Sequence, residues 1–335
     1  MPRMPSVPVA ENVTRALFEN EIKPLARPVI LKGLASSWPC VQRAAESPQA
    51  LGDYLKAHGA GKPLDVATCP KEFGGLYFYN ADMTGFNFTR GKCTLSQMVD
   101  RCLTEGENGA SHYVQATKID DIAPSLAEDF SLDLIDEAVR PRLWLGNSLI
   151  TQTHFDMADN IAVHVAGEKV FTLFPPDQIG NLYPGPIDVT LAGVPISMVP
   201  LDNPDFERFP RFRQALDVAQ EARLEPGDAL YLPALWWHHV STKGPLNMLV
   251  NYWWNECRQD IYSPIVGLYM AAMSFKHMPA AQREGWAAMV KYLVFDELGD
   301  PVAHLPEHVR SIFTTKVTTG QMEHFKARFR RSFSL

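Results

Sequence analysis

What the chain lacks narrows its class first. No apolar run approaches the roughly 18 residues that a membrane-crossing helix needs, so no membrane partner is expected. Lys and Arg number 31 against 38 Asp and Glu, giving a formal net charge of −7, and no basic block stands out. A nucleic-acid partner is therefore not indicated, because such proteins carry a concentrated positive face. Cysteine is sparse: Cys40, Cys69, Cys93, Cys102 and Cys257 are odd in number, and none has the spacing of a zinc or redox pair. This argues against a disulfide scaffold and for reduced thiols in the cytoplasm. The opening MPRMPSVPVAENV has no apolar core of the signal-peptide kind, which fits the same expectation.

What is present is an ordinary globular composition, 46 % hydrophobic and 21 % charged over 335 residues. That length allows one large domain with a smaller appendage. Residues 1–10 read as a loose arm and 12–21 as a short helix. Residues 28–32 (PVILK) read as a strand, and 47–58 as a helix with Leu51, Tyr54 and Leu55 on its apolar side. A further helix is predicted at 95–103, capped by Thr94 or Ser96. From residue 111 the pattern turns to β. The segments 111–117, 143–149, 161–165 and 169–174 read as strands, with Gly167 in a turn between the last two. Residues 175–210 hold much proline and aspartate and little periodicity. They are predicted to form an insertion at the mouth of a site, together with the aromatic cluster Phe73, Tyr77, Phe78 and Tyr79. Residues 212–222 fit helix and strand equally.

Pro226-Gly227-Asp228 marks a turn before strands at 229–232 and 246–254, with 239–241 leading into the second. Many short strands separated by turn signals argue for a closed or sandwiched β domain. Beyond residue 255, the segments 265–275, 282–295 and 309–325 favour helix. Met270, Met273, Trp286, Met289, Val290 and Leu293 supply apolar faces that either cover the core or meet a second copy in a homodimer. The expected organisation is an N-terminal region over 1–110, a β core over 111–255 interrupted at 175–210, and a helical region over 256–335. The fold class is mainly β, of the α+β kind.

His154 and Asp156 stand two apart in a strand-rich stretch, and residues i and i+2 of a strand share a face. One imidazole and one carboxylate can thus enter a single metal sphere. A second histidine from a distant strand would complete a two-histidine, one-carboxylate set, which leaves coordination positions open for a chelating acid and oxygen. His238 and His239 both offer that ligand. In an extended segment they point to opposite faces, and periodicity alone does not choose between them. A bare His-x-Asp is a weak signal; its surroundings strengthen it.

Those surroundings are RPVILKGLASSWP, THFDMADNIAVHVAGEKVFTLFPPDQIGNLYP, LDNPDFERFP, LEPGDALYLPALWWHHV and LVNYWW, in that order. From residue 28 to 254 the chain resembles the JmjC-type, cupin-like 2-oxoglutarate oxygenases. Among them it looks closest to the asparaginyl hydroxylase of the hypoxia-inducible transcription factor and its small bacterial relatives. The resemblance implies a double-stranded β-helix, a cupin-like jelly roll with N-terminal and C-terminal helices. It implies iron(II) held by His154, Asp156 and His238, and so selects His238 over His239. It also implies that Lys169 pairs with the distal carboxylate of 2-oxoglutarate, with Tyr113 and Thr151 as hydroxyl donors. Asn160, Asn251 and Trp253 match residues near the cosubstrate and the metal. An interior lysine in an alternating strand is costly without an anion, so the residue chemistry agrees for Lys169. At one place the chain departs: Met157, Ala158 and Asp159 stand where that hydroxylase has glutamines lining the approach of its protein substrate.

The implied reaction couples oxidation of 2-oxoglutarate to succinate and carbon dioxide with hydroxylation by O2, most simply of a protein or peptide side chain. A small-molecule oxygenase or an N-methyl demethylase would use the same site. A cupin-like binding protein without turnover is the reading from another class, and the intact His154, Asp156, His238 and Lys169 set speaks against it.

Overall fold

The period-two segments fold as strands in a computed structural model that describes residues 4–191, 193–314 and 316–332. The strands are β1 (Val9–Glu11), β2 (Val29–Lys32), β3 (Leu64–Cys69), β4 (Leu76–Tyr77), β5 (Thr89–Cys93) and β6 (Ser111–Lys118). They continue as β7 (Arg142–Gly146), β8 (Leu149–His154), β9 (Asp159–Phe174), β10 (Gln220–Leu224), β11 (Ala229–Leu232) and β12 (Trp237–Trp254). A larger layer runs β1-β2-β11-β9-β12-β7-β6-β3-β5. A smaller one runs β10-β9-β12-β8-β4. β9 and β12 serve both layers because each is long and bends midway. Ala162 pairs with Asn251 before the bend, and Val170 with Ser241 after it. The result is a double-stranded β-helix of the cupin type.

The bend has a local cause. Gly167 sits at φ +84° and Gly244 at φ +124°, a region L side chains rarely adopt, and a Cβ on Gly167 would lie 1.7 Å from Asn247 Oδ1. The register shifts between Lys243 and Leu249. A register irregularity reverses which face a side chain meets. Even-numbered Asn160 and Ala162 therefore share a cavity with odd-numbered Lys169 and Phe171. On β12, His238, Val240 and Thr242 share it with Asn247, Leu249, Asn251 and Trp253.

The first 110 residues complete the larger layer and its cover. Helices Pro48–His58 and Leu95–Glu105 bury Leu51, Leu55, Met98, Val99 and Cys102 in one cluster with Val163, Val165, Met248 and Val250. Ser47 and Thr94 cap these helices, Thr94 in a capping box with Gln97. The expected loose arm is corrected where it can be seen. Val7 is 2 % exposed and packs against Ile30, Leu224 and Leu230, and β1 pairs in parallel with β2; residues 1–3 lie outside the described residues. A single buried valine and an open strand edge pin a segment whose composition reads as loose.

Four other expectations change. The strands 161–165 and 169–174 are one strand, because Gly167 bends the chain without reversing it. The strands at 239–241 and 246–254 likewise merge into β12. Residues 212–222 are both helix (Phe212–Asp217) and strand (β10). Residues 175–210 (of which 192 is outside the described residues) are irregular but not merely surface. Leu182, Val199, Leu201 and Phe209 join Phe155, Phe174, Phe212 and Trp237 in a cluster of their own.

The chain divides into two compact units, Met1–Asn255 and Glu256–Leu335. In the second, helices Pro264–Phe275 and Ala280–Val294 form where expected. The helix predicted over 309–325 starts only at Thr319; Glu307–Val309 and Ser311–Phe313 are short 3-10 turns, and residue 315 is outside the described residues. Neither Pro264–Phe275 nor Ala280–Val294 buries a residue. Leu268, Met273, Phe295 and Leu298 are 61, 67, 71 and 84 % exposed.

Candidate metal and cosubstrate site

β8 delivers His154 at its last residue, the turn after it carries Asp156, and β12 begins with Trp237 and His238. His154 and His238 are register partners across the β8–β12 pair, which puts the two imidazoles side by side with ring centroids 4.2 Å apart. Asp156 Oδ2 lies 3.9 Å from His238 Nε2. One ligand atom from each of the three side chains falls within 4.8 Å of the others, and this is the only such trio among the described residues.

The second nitrogen of each ring fixes its chemistry. His154 Nδ1 lies 2.9 Å from the Gln152 carbonyl oxygen, and His238 Nδ1 lies 3.0 Å from that of Trp236. A carbonyl can only accept, so each Nδ1 carries the proton and each Nε2 presents a lone pair. Burial, with His154 alongside, pushes the His238 imidazole down to about 4, so it stands neutral and ready to ligate at physiological pH. The carboxylate is steered as well: Trp253 Nε1 donates to Asp156 Oδ2 at 3.1 Å. Such outer contacts orient a ligand and tune its basicity.

Lys169 lines the same cavity as the trio. Its side chain is buried at 7 % exposure, and its Nζ donates to Thr242 Oγ1 at 3.4 Å. Desolvation alone pushes the ammonium down to about 7, and no carboxylate among the described residues compensates it. Tyr113 on β6 reaches Thr151 Oγ1 across 3.4 Å, and both line the same cavity. Burial raises the Tyr113 phenol well above its ordinary range, so it stays a hydroxyl donor. Asn160 Oδ1 is buried without a partner. Asn251 Oδ1 accepts from Trp144 Nε1 at 2.9 Å. Trp253 packs edge-on to Trp144 at 5.8 Å, closing the wall beside Asp156.

All nine residues singled out from the sequence thus line one cavity. His239 does not. It is 2 % exposed but faces the outer side of the smaller layer, in a depression with Thr172, Glu221, Ser241 and Lys243. Burial likewise lowers it to about 4, so a depressed pKa does not distinguish it from His238; position does. Among the other lining residues, Trp144, Thr242 and Asn247 bring polar groups to the cavity that the sequence reading did not single out. Thr242 was within reach, since it is two steps of two from His238 along one strand face. Asn247 was not, because it lies past the register shift.

The donor set suits the group it implies. Two imidazoles and one carboxylate on one side of a cavity form a facial triad, the set that iron(II) oxygenases use while leaving positions open. The uncompensated Lys169 ammonium calls for an anionic guest beside it, whereas the unpartnered Asn160 Oδ1, an acceptor, calls for a hydrogen-bond donor.

A sequence model for the cupin-like domain matches residues 15–260. The chain belongs to the cupin-like domain family. It carries a two-histidine, one-carboxylate triad, and its relatives include proteins named for a JmjC domain. It is 24 % identical over 237 residues to the lysine-specific demethylase 8 of Xenopus tropicalis, covering 68 % of this chain and 48 % of that one. It is 26 % identical over 335 residues to the tRNA wybutosine-synthesizing protein 5 of Gallus gallus, covering 93 % of this chain and 92 % of the other. The JmjC domain-containing protein F of Dictyostelium discoideum is 24 % identical, with 71 % of this chain and 59 % of that one covered. The chain therefore spans about half the length of the demethylase and nearly all of the wybutosine protein. Among the described residues no helix is long and apolar enough to cross a membrane.

Proposed function

We propose that this chain is a JmjC-type, iron(II)- and 2-oxoglutarate-dependent oxygenase and that it hydroxylates a side chain of a protein or peptide. His154, Asp156 and His238 would hold iron(II), and Lys169, Tyr113 and Thr151 the 2-oxoglutarate. The observation that carries the cosubstrate assignment is the buried Lys169, which lines the triad's cavity and has no anionic partner among the described residues. Bound iron(II) supplies oxygen activation coupled to conversion of 2-oxoglutarate to succinate and carbon dioxide. The protein's part is positional. Lys169 and the hydroxyls of Tyr113, Thr151 and Thr242 would fix the far carboxylate. Trp253 holds Asp156 in one orientation. Asn160, Asn251 and Trp253 border the space in which a substrate group would meet the metal.

A protein target fits the acidic net charge of −7 and the resemblance to the asparaginyl hydroxylase. At the changed positions Met157 is 41 % exposed beside the site. Asp159 turns away: its Oδ1 accepts from the Ala234 backbone N–H at 3.1 Å and from Tyr231 at 3.4 Å, clamping the loop before His238. Asparagine is therefore one target among several to assay. N-methyl demethylation begins with the same hydroxylation, and one relative is named for it. A second reading, oxidation of an RNA base, is favoured by the full-length match to a tRNA wybutosine-synthesizing protein. Succinate release and a one-oxygen mass gain, measured over peptide, methyl-lysine peptide and tRNA panels, decide among these. Turnover on tRNA alone would replace the protein reading.

We further propose self-association through residues 256–335, in a reducing, cytoplasmic setting. Excess apolar helical surface supports the first. The buried, unpaired thiols of Cys40, Cys69, Cys93 and Cys102 support the second. Light scattering should report a dimer, and replacing Leu268 and Met273 with Glu should yield a monomer.

A further inference from the structure

Beside the strand that carries His154, the insertion builds a groove. Ser197 N donates to Thr153 O at 2.7 Å, and Gln152 Nε2 donates to the Ser197 and Val199 carbonyls, so residues 196–199 lie along β8. Residues 183–185 pair in turn with 196–198. On this ledge Ile179, Pro184 and Met198, with Met83 opposite, form an apolar floor, rimmed by Tyr183, Phe209, Arg208 and Arg211.

The arginines are the unusual part. Arg208, Arg211 and Arg213 fall within six residues, all exposed, and each lies over an aromatic ring: Phe209 at 5.0 Å, Tyr183 at 4.5 Å and Phe206 at 3.9 Å. Among the described residues none of the three has an ion-pair partner, whereas Arg43, Arg140, Arg223 and Arg258 each have one. Arg211 is also held by the Gly180 carbonyl at 2.9 Å, so its position is fixed in advance. The nearby Asp205 carboxylate accepts from the Glu207 and Arg208 backbone N–H groups through Oδ1. Aromatic support keeps a guanidinium flat and leaves its N–H edge to an incoming anion.

We infer that this groove captures an acidic peptide segment, apolar side chains on the Met83–Met198 floor and carboxylates on Arg208 and Arg211. The inference rests on the protein-substrate reading and names the class of substrate. A nucleic acid fits less well. Base stacking needs open aromatic faces. Here Tyr183 and Phe209 are stacked under arginine and packed on each other at 5.0 Å.

Fluorescence anisotropy on the full chain tests this without turnover. The probes are a labelled peptide of Glu, Leu, Pro and Gly, its Lys-for-Glu counterpart, and a single-stranded RNA of equal length. The acidic peptide should bind, weaken with salt, and lose about tenfold in affinity in the Arg208→Ala/Arg211→Ala protein. Arg208→Glu alone should weaken it comparably; Arg208 makes no hydrogen bond through its guanidinium among the described residues, and an unchanged melting temperature would show that the fold is kept. The Lys peptide and the RNA should not compete. RNA binding that depends on Arg208, or acidic-peptide binding indifferent to these substitutions, would overturn the inference, as would no binding at all. Repeating the measurement with Asp156→Ala, which removes a metal ligand, separates the two readings. Peptide capture by both proteins, with no captured peptide oxidised by the iron(II)- and 2-oxoglutarate-loaded wild type, would leave the groove standing and sink the hydroxylase proposal.

Discussion

Lys169 makes a prediction in which binding and stability move in opposite directions. With the pocket free of cosubstrate, burial holds its ammonium near 7, against 10.5 for a free lysine. At about pH 8 roughly nine-tenths of the side chains are then neutral. A dicarboxylate binds the charged form, so binding must take up about one proton. Above the depressed pKa each further pH unit should weaken 2-oxoglutarate about tenfold, or about 1.4 kcal/mol. His238 is already neutral in this range and adds nothing to the slope. The stability of the cosubstrate-free protein has the opposite trend. The folded pKa lies below the unfolded one, so between about 7 and 10.5 the unfolded state holds the extra proton and stability rises with pH. Lys169→Met should therefore raise the melting temperature of the cosubstrate-free protein, by on the order of 2 kcal/mol of stability near neutral pH. It should also lower 2-oxoglutarate affinity at least a hundredfold, roughly 3 kcal/mol or more. Anaerobic calorimetry of the iron(II)-loaded protein in buffers of different ionisation enthalpy reads both the affinity and the proton count. Flat affinity between about pH 8 and 9, no proton uptake, and a Lys169→Met protein that binds nearly as well would refute the reasoning.

Two further expectations concern the groups around that pocket. Trp253→Phe keeps the wall but removes the indole N–H from Asp156 Oδ2; metal affinity by competitive chelator titration should fall about tenfold, with little change in melting temperature. Gly167→Ala meets Asn247 Oδ1 at 1.7 Å and a φ of +84°; it should cost about 2–4 kcal/mol in chemical denaturation and disturb cosubstrate binding, since Lys169 follows two residues later.

The parts legible in the sequence were those with a local cause. Thr94, one of two cap candidates, caps its helix, the apolar spacing of Leu51, Tyr54 and Leu55 marked the helix at 47–58, and the alternation at 111–117 announced β6. The triad was legible in part. The spacing of His154 and Asp156 gave two ligands on one face, but His238 and His239 are equivalent to any strand periodicity. Family likeness chose between them, and the pairing of His238 with His154 supplies the physical reason. What could not be read depends on contacts between distant segments. Gly167 looks like a turn in sequence and acts as a bend, because β12 and β10 hold both halves of β9 in place. That bend reverses the side-chain alternation and brings Lys169 into the cavity with Asn160. Val7 belongs to the core only because Ile30 and Leu224 are there to receive it. The helical expectation over 309–325 failed for a related reason: propensity is a weak guide where little is buried, and in that unit few side chains are.

The central claim is that His154, Asp156 and His238 hold iron(II) in a way that leaves room for 2-oxoglutarate to chelate it. Anaerobic titration of iron(II)-loaded protein with 2-oxoglutarate tests this directly by visible absorption. The account predicts a weak charge-transfer band that saturates with the cosubstrate, disappears in Asp156→Ala and His238→Ala, and persists in His239→Ala. No band and no cosubstrate-dependent stabilisation, or a band lost with His239 and kept without His238, would contradict it.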